Sequence, residues 1–392
     1  MFTFVSMPSK RVFVTVSSDL ATDNRVHRSC ALLKDLGYSV FLIGREKKDS
    51  PAMPKRDYPF KRFKLLFEKG ALFYATLNIR LFIFLLLKRI DFLFANDLDT
   101  LPAAFLISKL KRIPIIYDSH ELFTEVPELI ARPKIQSFWL HIEKRILPHL
   151  KYVLTVNESI AEIFRKKYNI QVAVVRNVPF RNQHIIPLSK AELQLGESTK
   201  MIIIQGSGLN VDRGIEEAVL AMKSINNAVL FLVGSGDVIP KVKQLVRENE
   251  LNDKVRFIGR LPYQEMLRYT AAADLGLAMD KPLSLNYALA LPNKVFDYIQ
   301  ANTPILTGPL KEIERIVLAY NCGEIIQKID PEEIASAVNK LFENPNLLDT
   351  YKKNCAKAAE IEHWEKDAQV LQQVILNAYR ANGVETNDIN QK

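Results

Sequence analysis

The sequence predicts an α/β protein of two doubly wound parallel-sheet domains that face each other across a cleft. Three observations carry that prediction. Short apolar runs without polar alternation, such as RVFVTV, SVFLIG and MIIIQG, recur between helical segments; strands buried on both faces in this rhythm belong to a parallel sheet covered by helices. The runs form two series in tandem, each long enough for a doubly wound sheet. The length, 392 residues, is too great for one ordinary core and suits two of middling size.

The first series runs through RVFVTV, a helix over VHRSCALLKDLGY, SVFLIG, then FLFAND, IPIIYDSH, YVLTVN and VAVVRN. Between SVFLIG and FLFAND lies ALFYATLNIRLFIFLLLKRIDF, whose longest apolar run, Leu81 to Leu87, is far short of the roughly 18 residues that span a bilayer. It reads either as a helix packed on the sheet or as one that touches a lipid surface with Lys88 and Arg89 beside it. The polar stretch 179–200, with two prolines, divides the chain into domains 1–183 and 184–363. The second series is MIIIQG, AVLFLVG, VRFIG, LGLAM, TPILTG and GEIIQ. A last helix over 364–382 has apolar residues at helical spacing and is placed to cross back to the N-terminal domain. Residues 383–392 read as a frayed tail.

Hydrophobic residues at 48% and charged residues at 25% describe a soluble globular chain. Its net charge of +9 is uneven: residues 1–180 hold 29 Lys/Arg against 17 Asp/Glu, and the remainder 24 against 27. A basic first half calls for an anionic partner, either a lipid headgroup or a phosphorylated substrate. Nucleic acid is excluded by the lack of any recognition-helix, zinc-finger or RNP pattern. Cys30, Cys322 and Cys355 show no paired or metal-ligand spacing and read as buried thiols in a reducing cytoplasm. The N-terminal apolar run is too short for a signal peptide.

Ligands of open parallel sheets bind at the carboxyl ends of the strands, so the residues following each strand are the candidates. After RVFVTV, Ser17, Ser18 and Asp19 read either as a polar loop facing an anion or as an ordinary turn with its helix cap at Asp23 or Asn24. After IPIIYD, His120 either donates to a ligand oxygen or is a satisfied structural histidine. MIIIQGSGLNVDRG is more informative. Gly206, Ser207 and Gly208 permit close backbone approach, and Arg213 before Gly214 can fork two phosphate oxygens at the start of an amphipathic helix. The loop matches neither GxGxxG nor a P-loop. Gly234 and Gly236 in AVLFLVGSGD repeat the strand-then-glycine pattern as a wall for a nucleotide base.

In LPNKVFDYIQANTPIL, Pro292 and Asn293 read as a turn and N-cap, leaving Lys294 and Val295 with free N–H groups that an anion would meet. Asp297 reads as a first-turn carboxylate. It either accepts hydrogen bonds from sugar or ribose hydroxyls or complements the helix dipole.

With these motifs in place, the sequence resembles glycosyltransferase family 4, retaining nucleotide-sugar-dependent enzymes of the GT-B fold with two Rossmann-like domains. The resemblance runs from DLATDNRVHRSCALLKDLGYSV through IPIIYDSHELFTEVPEL, VVRNVP, GSGLNVDRGIEEAVLAM and VRFIGRLP to LPNKVFDYIQANTPIL. It implies an acceptor-binding first domain, with Ser17, Ser18 and Asp19 at the acceptor, and a donor-binding second domain. Gly206, Ser207, Gly208, Arg213, Gly234, Gly236, Asn293 and Asn177 would hold the donor, and His120, Lys294 and Asp297 would serve catalysis. Asp297 takes the place of the family's second motif glutamate. The first would fall at Leu289, and the arginine of the family's pyrophosphate pair is Gly208 here.

The resemblance implies transfer of a sugar from a nucleotide diphosphate to a glycan or polyprenyl-linked acceptor with retention of configuration, as in cell-surface polysaccharide assembly. It implies no metal and no cofactor, a cytoplasmic protein, and contact with the inner face of the membrane. Two other outcomes stay open: a nucleotide-sugar 2-epimerase of the same fold, and a non-catalytic paralogue that binds nucleotide-sugar.

Overall fold

The computed structural model describes residues 10–181, 184–206 and 208–380; the predicted tail lies outside them. Among these residues the chain forms two compact units, one running to Arg176 and resuming at Asp367, the other spanning Asn177–Lys366.

The first unit holds a parallel sheet of β1 (Arg11–Asp19), β2 (Ser39–Glu46), β3 (Phe60–Lys64), β4 (Phe92–Asn96), β5 (Ile115–Ser119), β6 (Tyr152–Thr155) and β7 (Val172–Val174), in the order β3-β2-β1-β4-β5-β6-β7. All pairs are parallel. Six of these strands coincide with the apolar runs. The seventh, β3, reads FKRFK, and its charges hide it from any search for apolar runs. A cation-rich strand at the sheet's edge discourages pairing with other chains.

The crossovers from β3 to β4, β4 to β5 and β5 to β6 step the same way along the sheet, and a common hand for such connections puts the helices Gly70–Leu86, Leu101–Lys111 and Pro133–Ile146 in one layer, where neighbours touch. The helix Asn24–Asp35 covers the opposite face. The apolar segment read two ways above has two faces: Phe73, Leu77, Leu81 and Leu85 are buried, while Leu72, Ile79, Ile83 and Leu87 are exposed. The last helix, Trp364–Arg380, buries Ala368, Leu371, Ile375 and Tyr379 at helical spacing. Tyr379 packs edge-on against Tyr38, and Asp367 takes the Arg176 guanidinium at 2.6 Å, so this helix completes the first unit.

The second unit repeats the plan with β8 (Lys200–Gly206), β9 (Ala228–Gly234), β10 (Val255–Gly259), β11 (Leu275–Ala278), β12 (Ile305–Thr307) and β13 (Gly323–Ile325), ordered β10-β9-β8-β11-β12-β13. Ile202, Leu230, Leu275 and Leu306 pack against Val219, Val242 and Val338 in one contiguous core. In each sheet the strand order reverses once, between β1 and β4 and between β8 and β11. A reversal opens a crevice at the carboxyl ends of the two strands that flank it. The three cysteines are buried and unbridged. No helix among the described residues is long and apolar enough to cross a membrane.

Candidate active site

At the first unit's reversal, Asp97, Asp99, Asp118 and His120 gather at the ends of β4 and β5. His120 Nδ1 lies 3.2 Å from Asp97 Oδ2, and Nε2 lies 3.3 Å from Asp118 Oδ2 and 3.2 Å from Asn96 Oδ1. The His120 amide donates to Asp97 Oδ1 at 3.0 Å. Burial disfavours the ring's charge, but Asp97 and Asp118 outweigh it and hold the pKa well above the ordinary histidine value. The ring is therefore an imidazolium that donates through both nitrogens and has no lone pair with which to act as a base.

Asp118 is buried, a condition that raises a carboxyl's pKa; Arg25 reverses the effect and holds it well below the carboxylate range. Arg25 Nε and Nη2 reach the two Asp118 oxygens at 3.1 and 2.7 Å, and Nη1 donates to Val175 O at 2.8 Å. Asp99 goes the other way: burial, reinforced by the charge of Asp97, pushes it up to about 7 against the opposing hydrogen bond from Ser17. Its Oδ1 has no hydrogen-bond partner.

Ser17, Ser18 and Asp19 do not form a loop. They end β1, which runs three residues past the apolar stretch because its pairing with β2 resumes at Asp19 and Arg45 after an irregularity. Only Ser17 meets the histidine cluster. Ser18 donates to Asp23 at 2.5 Å, while Asp19 accepts from Ala21 N and Ser50 and lies 3.6 Å from Arg62. Asp23 is the helix cap, accepting from Val26 N at 3.0 Å.

At the second unit's reversal, Asp280 follows β11 and is 1% exposed. Arg213 Nη1 donates to its Oδ1 at 2.5 Å, and Lys294 Nζ lies 3.1 Å from Oδ2. Burial pushes the Asp280 carboxyl up, and Lys294 and Arg213 together more than reverse it, leaving it ionised below the usual range. One carboxylate thus holds two cations, and the trio keeps a net positive charge. The Arg213 guanidinium also lies over the Tyr287 ring at 4.6 Å.

The helix Asn293–Gln300 begins one residue earlier than its sequence signal. Pro292 is the cap, with no side-chain bond, and Asn293 is an exposed first helical residue. Asp297 consequently sits beyond the first turn, out of reach of the free N–H groups. Its oxygens accept from Tyr263 Oη at 2.8 Å and Gln205 Nε2 at 3.2 Å, and Gln205 in turn accepts from Thr270.

The helix after Arg213 is seven residues, Ile215–Ala221, capped by Gly214 at φ +66. A Cβ on Gly214 would lie 2.2 Å from Met279 O, so glycine here brings the Arg213 loop against the end of β11, where Asp280 follows. Gly206 ends β8, paired with Gly234, and a Cβ on Gly208 would meet only the Asn210 side chain at 3.4 Å. A Cβ on Gly234 would stand 1.9 Å from Gly206 O, and one on Gly236 1.9 Å from Leu209 O; the close approach at both is to the protein's own main chain. Ser207 lies outside the described residues. Asn177, half-buried, is the first residue of the second unit. Among the described residues no group of three or more His, Cys, Asp or Glu side chains is disposed to hold a metal ion.

Residues 23–178 match the family model Glycosyltransferase Family 4, and residues 187–359 match Glycosyl transferases group 1. The chain is a family-4-type glycosyltransferase. An uncharacterized glycosyltransferase of Methanocaldococcus jannaschii is 22% identical over 168 residues, a match spanning 41% of each chain. Among solved structures, sucrose-phosphate synthase from Thermosynechococcus elongatus superposes with a TM-score of 0.79 at 16% identity, covering 95% of this chain and all of that one. Anabaena HepE in complex with UDP-glucose gives 0.70 at 14%, covering 94% and 99%. WaaG, a glycosyltransferase involved in lipopolysaccharide biosynthesis, gives 0.68 at 14%, covering 93% and 99%. At these identities the likeness is one of fold, and the fold is GT-B.

Sequence reasoning missed the residues that hold the glycosyltransferase's charged side chains in place: Arg25, Asp97, Asp99 and Asp118 in one unit, Gln205, Tyr263 and Asp280 in the other. A signal existed for four of them. Asp97 and Asp99 in FAND-L-D, Asp118 in IIYD and Asp280 in LAMD are carboxylates at or just past the end of a buried strand, where a charge needs a partner. Arg25, Gln205 and Tyr263 carry no local signal, since each acts on a residue about 34 or more positions away.

Proposed function

We propose that the chain transfers a glycosyl group from a nucleoside diphosphate sugar to an acceptor hydroxyl with retention of configuration, the second unit holding the donor and the first the acceptor. The observation that carries this is the Arg213–Asp280–Lys294 trio. Two cations pre-set by one buried carboxylate stabilise the charge that develops on a departing diphosphate without rearranging during the reaction. Gly206, Ser207, Gly208 and Asn293 border the donor, Gly234 and Gly236 set the loop beside it, and Asn177 contacts it; Asp297, oriented by Tyr263 and Gln205, accepts from ribose hydroxyls.

In the first unit His120, its ring fixed by Asp97 and Asp118, orients the sugar, while Ser17, Ser18 and Asp19 shape the acceptor's approach. Asp97 and Asp118 are engaged by His120 and Arg25, so neither is a ready nucleophile, which favours front-face substitution. In that step the bond from the anomeric carbon to the phosphate oxygen breaks as the acceptor oxygen bonds to the same face, and the acceptor proton passes to the diphosphate. A trapped covalent glycosyl-enzyme adduct would refute it. No metal enters this scheme.

UDP and UDP-glucose occupy solved neighbours, so a uridine donor is the first to test. The acceptor is proposed to be a glycan or polyprenyl-linked sugar of cell-surface polysaccharide synthesis at the cytoplasmic face of a membrane. The exposed side of the helix Gly70–Leu86, next to Lys88 and Arg89, supports that setting. The test is thermal stabilisation by a panel of nucleoside diphosphates and their sugars, followed by product analysis with candidate acceptors. Donor-specific stabilisation with a glycosylated product supports transfer. Free nucleotide with an epimerised sugar supports a 2-epimerase, and binding without turnover a non-catalytic paralogue.

A further inference from the structure

An open groove of about 550 Å³ lies between the helices Leu101–Lys111 and Pro133–Ile146 of the first unit and shares no lining residue with the His120 cluster. Its volume is that of an ordinary small-molecule site. Phe105 and Leu106 are among its apolar walls, and Lys109, His141, Arg145 and His149 stand around them, with no carboxylate in the lining. Lys109 Nζ rests 5.2 Å over the Phe105 ring, whose other neighbour is the stacked His149 ring at 6.4 Å. The first helix carries no acidic residue. The second carries only Glu143, which is buried and bound to Lys167 at 2.8 Å and to Tyr168. Lys109 and Arg145 therefore meet no free carboxylate on either helix or in the groove lining.

The groove continues into an exposed apolar surface. Leu106 and Leu110 are 53% and 63% exposed, and Ile79, Ile83 and Leu87 of the adjoining helix are exposed in the same helical layer. Lys111 ties the two helices by donating to the carbonyls of Leu86 and Lys88 at 2.9 Å each. No Asp or Glu occurs between Lys69 and Ile90 or between Thr100 and Tyr117. An apolar surface whose flanking charges in these segments are all lysines and arginines is complementary to one environment above others, a bilayer whose headgroups are anionic.

We propose that this groove anchors the protein to an anionic phospholipid of a bilayer, the cations holding the headgroup phosphate and the apolar walls the start of the acyl chains. The proposal rests on the membrane setting read above and not on glycosyl transfer itself.

Flotation of the full chain with vesicles of phosphatidylcholine alone, and of an equimolar mixture with phosphatidylglycerol, tests it. Binding is expected to the mixed vesicles only. The double variant Lys109→Glu/Arg145→Glu should weaken it at least about tenfold, and Leu106→Asp should weaken it at high salt as well, where charge is screened. Thermal stabilisation by UDP, measured on the same variants without vesicles, reports folding and donor binding separately, so loss of lipid binding is not confused with failure of the transferase reading. Three results overturn the proposal: no binding of the wild type to mixed vesicles, groove variants that float like the wild type, or release of the wild type by inorganic phosphate at a concentration that leaves ionic strength unchanged. The last would identify a site for free phosphate instead.

Discussion

The two sheets place charged clusters at the same architectural address, yet the clusters have opposite balances. Beside β4 and β5, Asp97 and Asp118 match Arg25 and the His120 imidazolium, with Asp99 as a further carboxyl. Beside β11, Asp280 faces both Arg213 and Lys294. The first cluster is closed on itself and spends its charge on holding one ring. The second keeps uncompensated positive charge and suits a diphosphate. A strand-order reversal thus provides a place for a ligand, and the ratio of carboxylates to cations there decides its sign.

The sharpest way to break this comparison is to open the closed cluster. Arg25→Met leaves the buried Asp118 with His120 as its one charged partner described above and should cost about 3 kcal/mol, read by denaturant unfolding. Next comes Asp99. The unfolded chain loses this proton near the ordinary Asp value, whereas the folded protein keeps it to about 7. The stability tied to it is full below pH ~4 and is lost as pH rises to about 7, a swing of roughly 2–4 kcal/mol. Asp99→Asn should remove that swing, visible as a flatter dependence of melting temperature on pH between about 4 and 7 than in the wild type. His120 acts in the same sense over a more alkaline window. Its stabilisation is full below the ordinary histidine pKa and falls as pH rises through its raised folded value.

In the open cluster, Arg213→Ala should weaken nucleoside diphosphate binding by about 1.5–3 kcal/mol, a factor of about 10 to 150 in Kd by calorimetry. Asp280→Asn should move Kd the other way by adding net positive charge; weakening instead would mean that fixing the cations matters more than their charge. The smallest effect belongs to Tyr263→Phe, which removes one hydrogen bond from Asp297 and should cost about 1 kcal/mol of stability.

Legibility differed between strands and side chains for a physical reason. A buried parallel strand must be apolar on both faces, so twelve strands announced themselves locally. FKRFK at the edge, with one face in solvent, did not. Ser17 to Asp19 look like loop because they are polar, but β2 pairs with Asp19 through main-chain groups that are the same for every residue. Pro292 took the cap position expected of Asn293, and that shift of one residue removed Asp297 from the helix terminus and delivered it to Tyr263 and Gln205.

The sequence by itself determined the two parallel sheets, the division of charge between the halves of the chain and the presence of Arg213, Lys294, Asp297 and His120 after their strands or on their helix. These follow from local composition and spacing. Tertiary structure decided what each of them is bonded to. Asp280 sits 67 residues from Arg213, and Asp118 sits 93 residues from Arg25. Their ionisation depends on burial beside those partners, which exists only once the strands are in order.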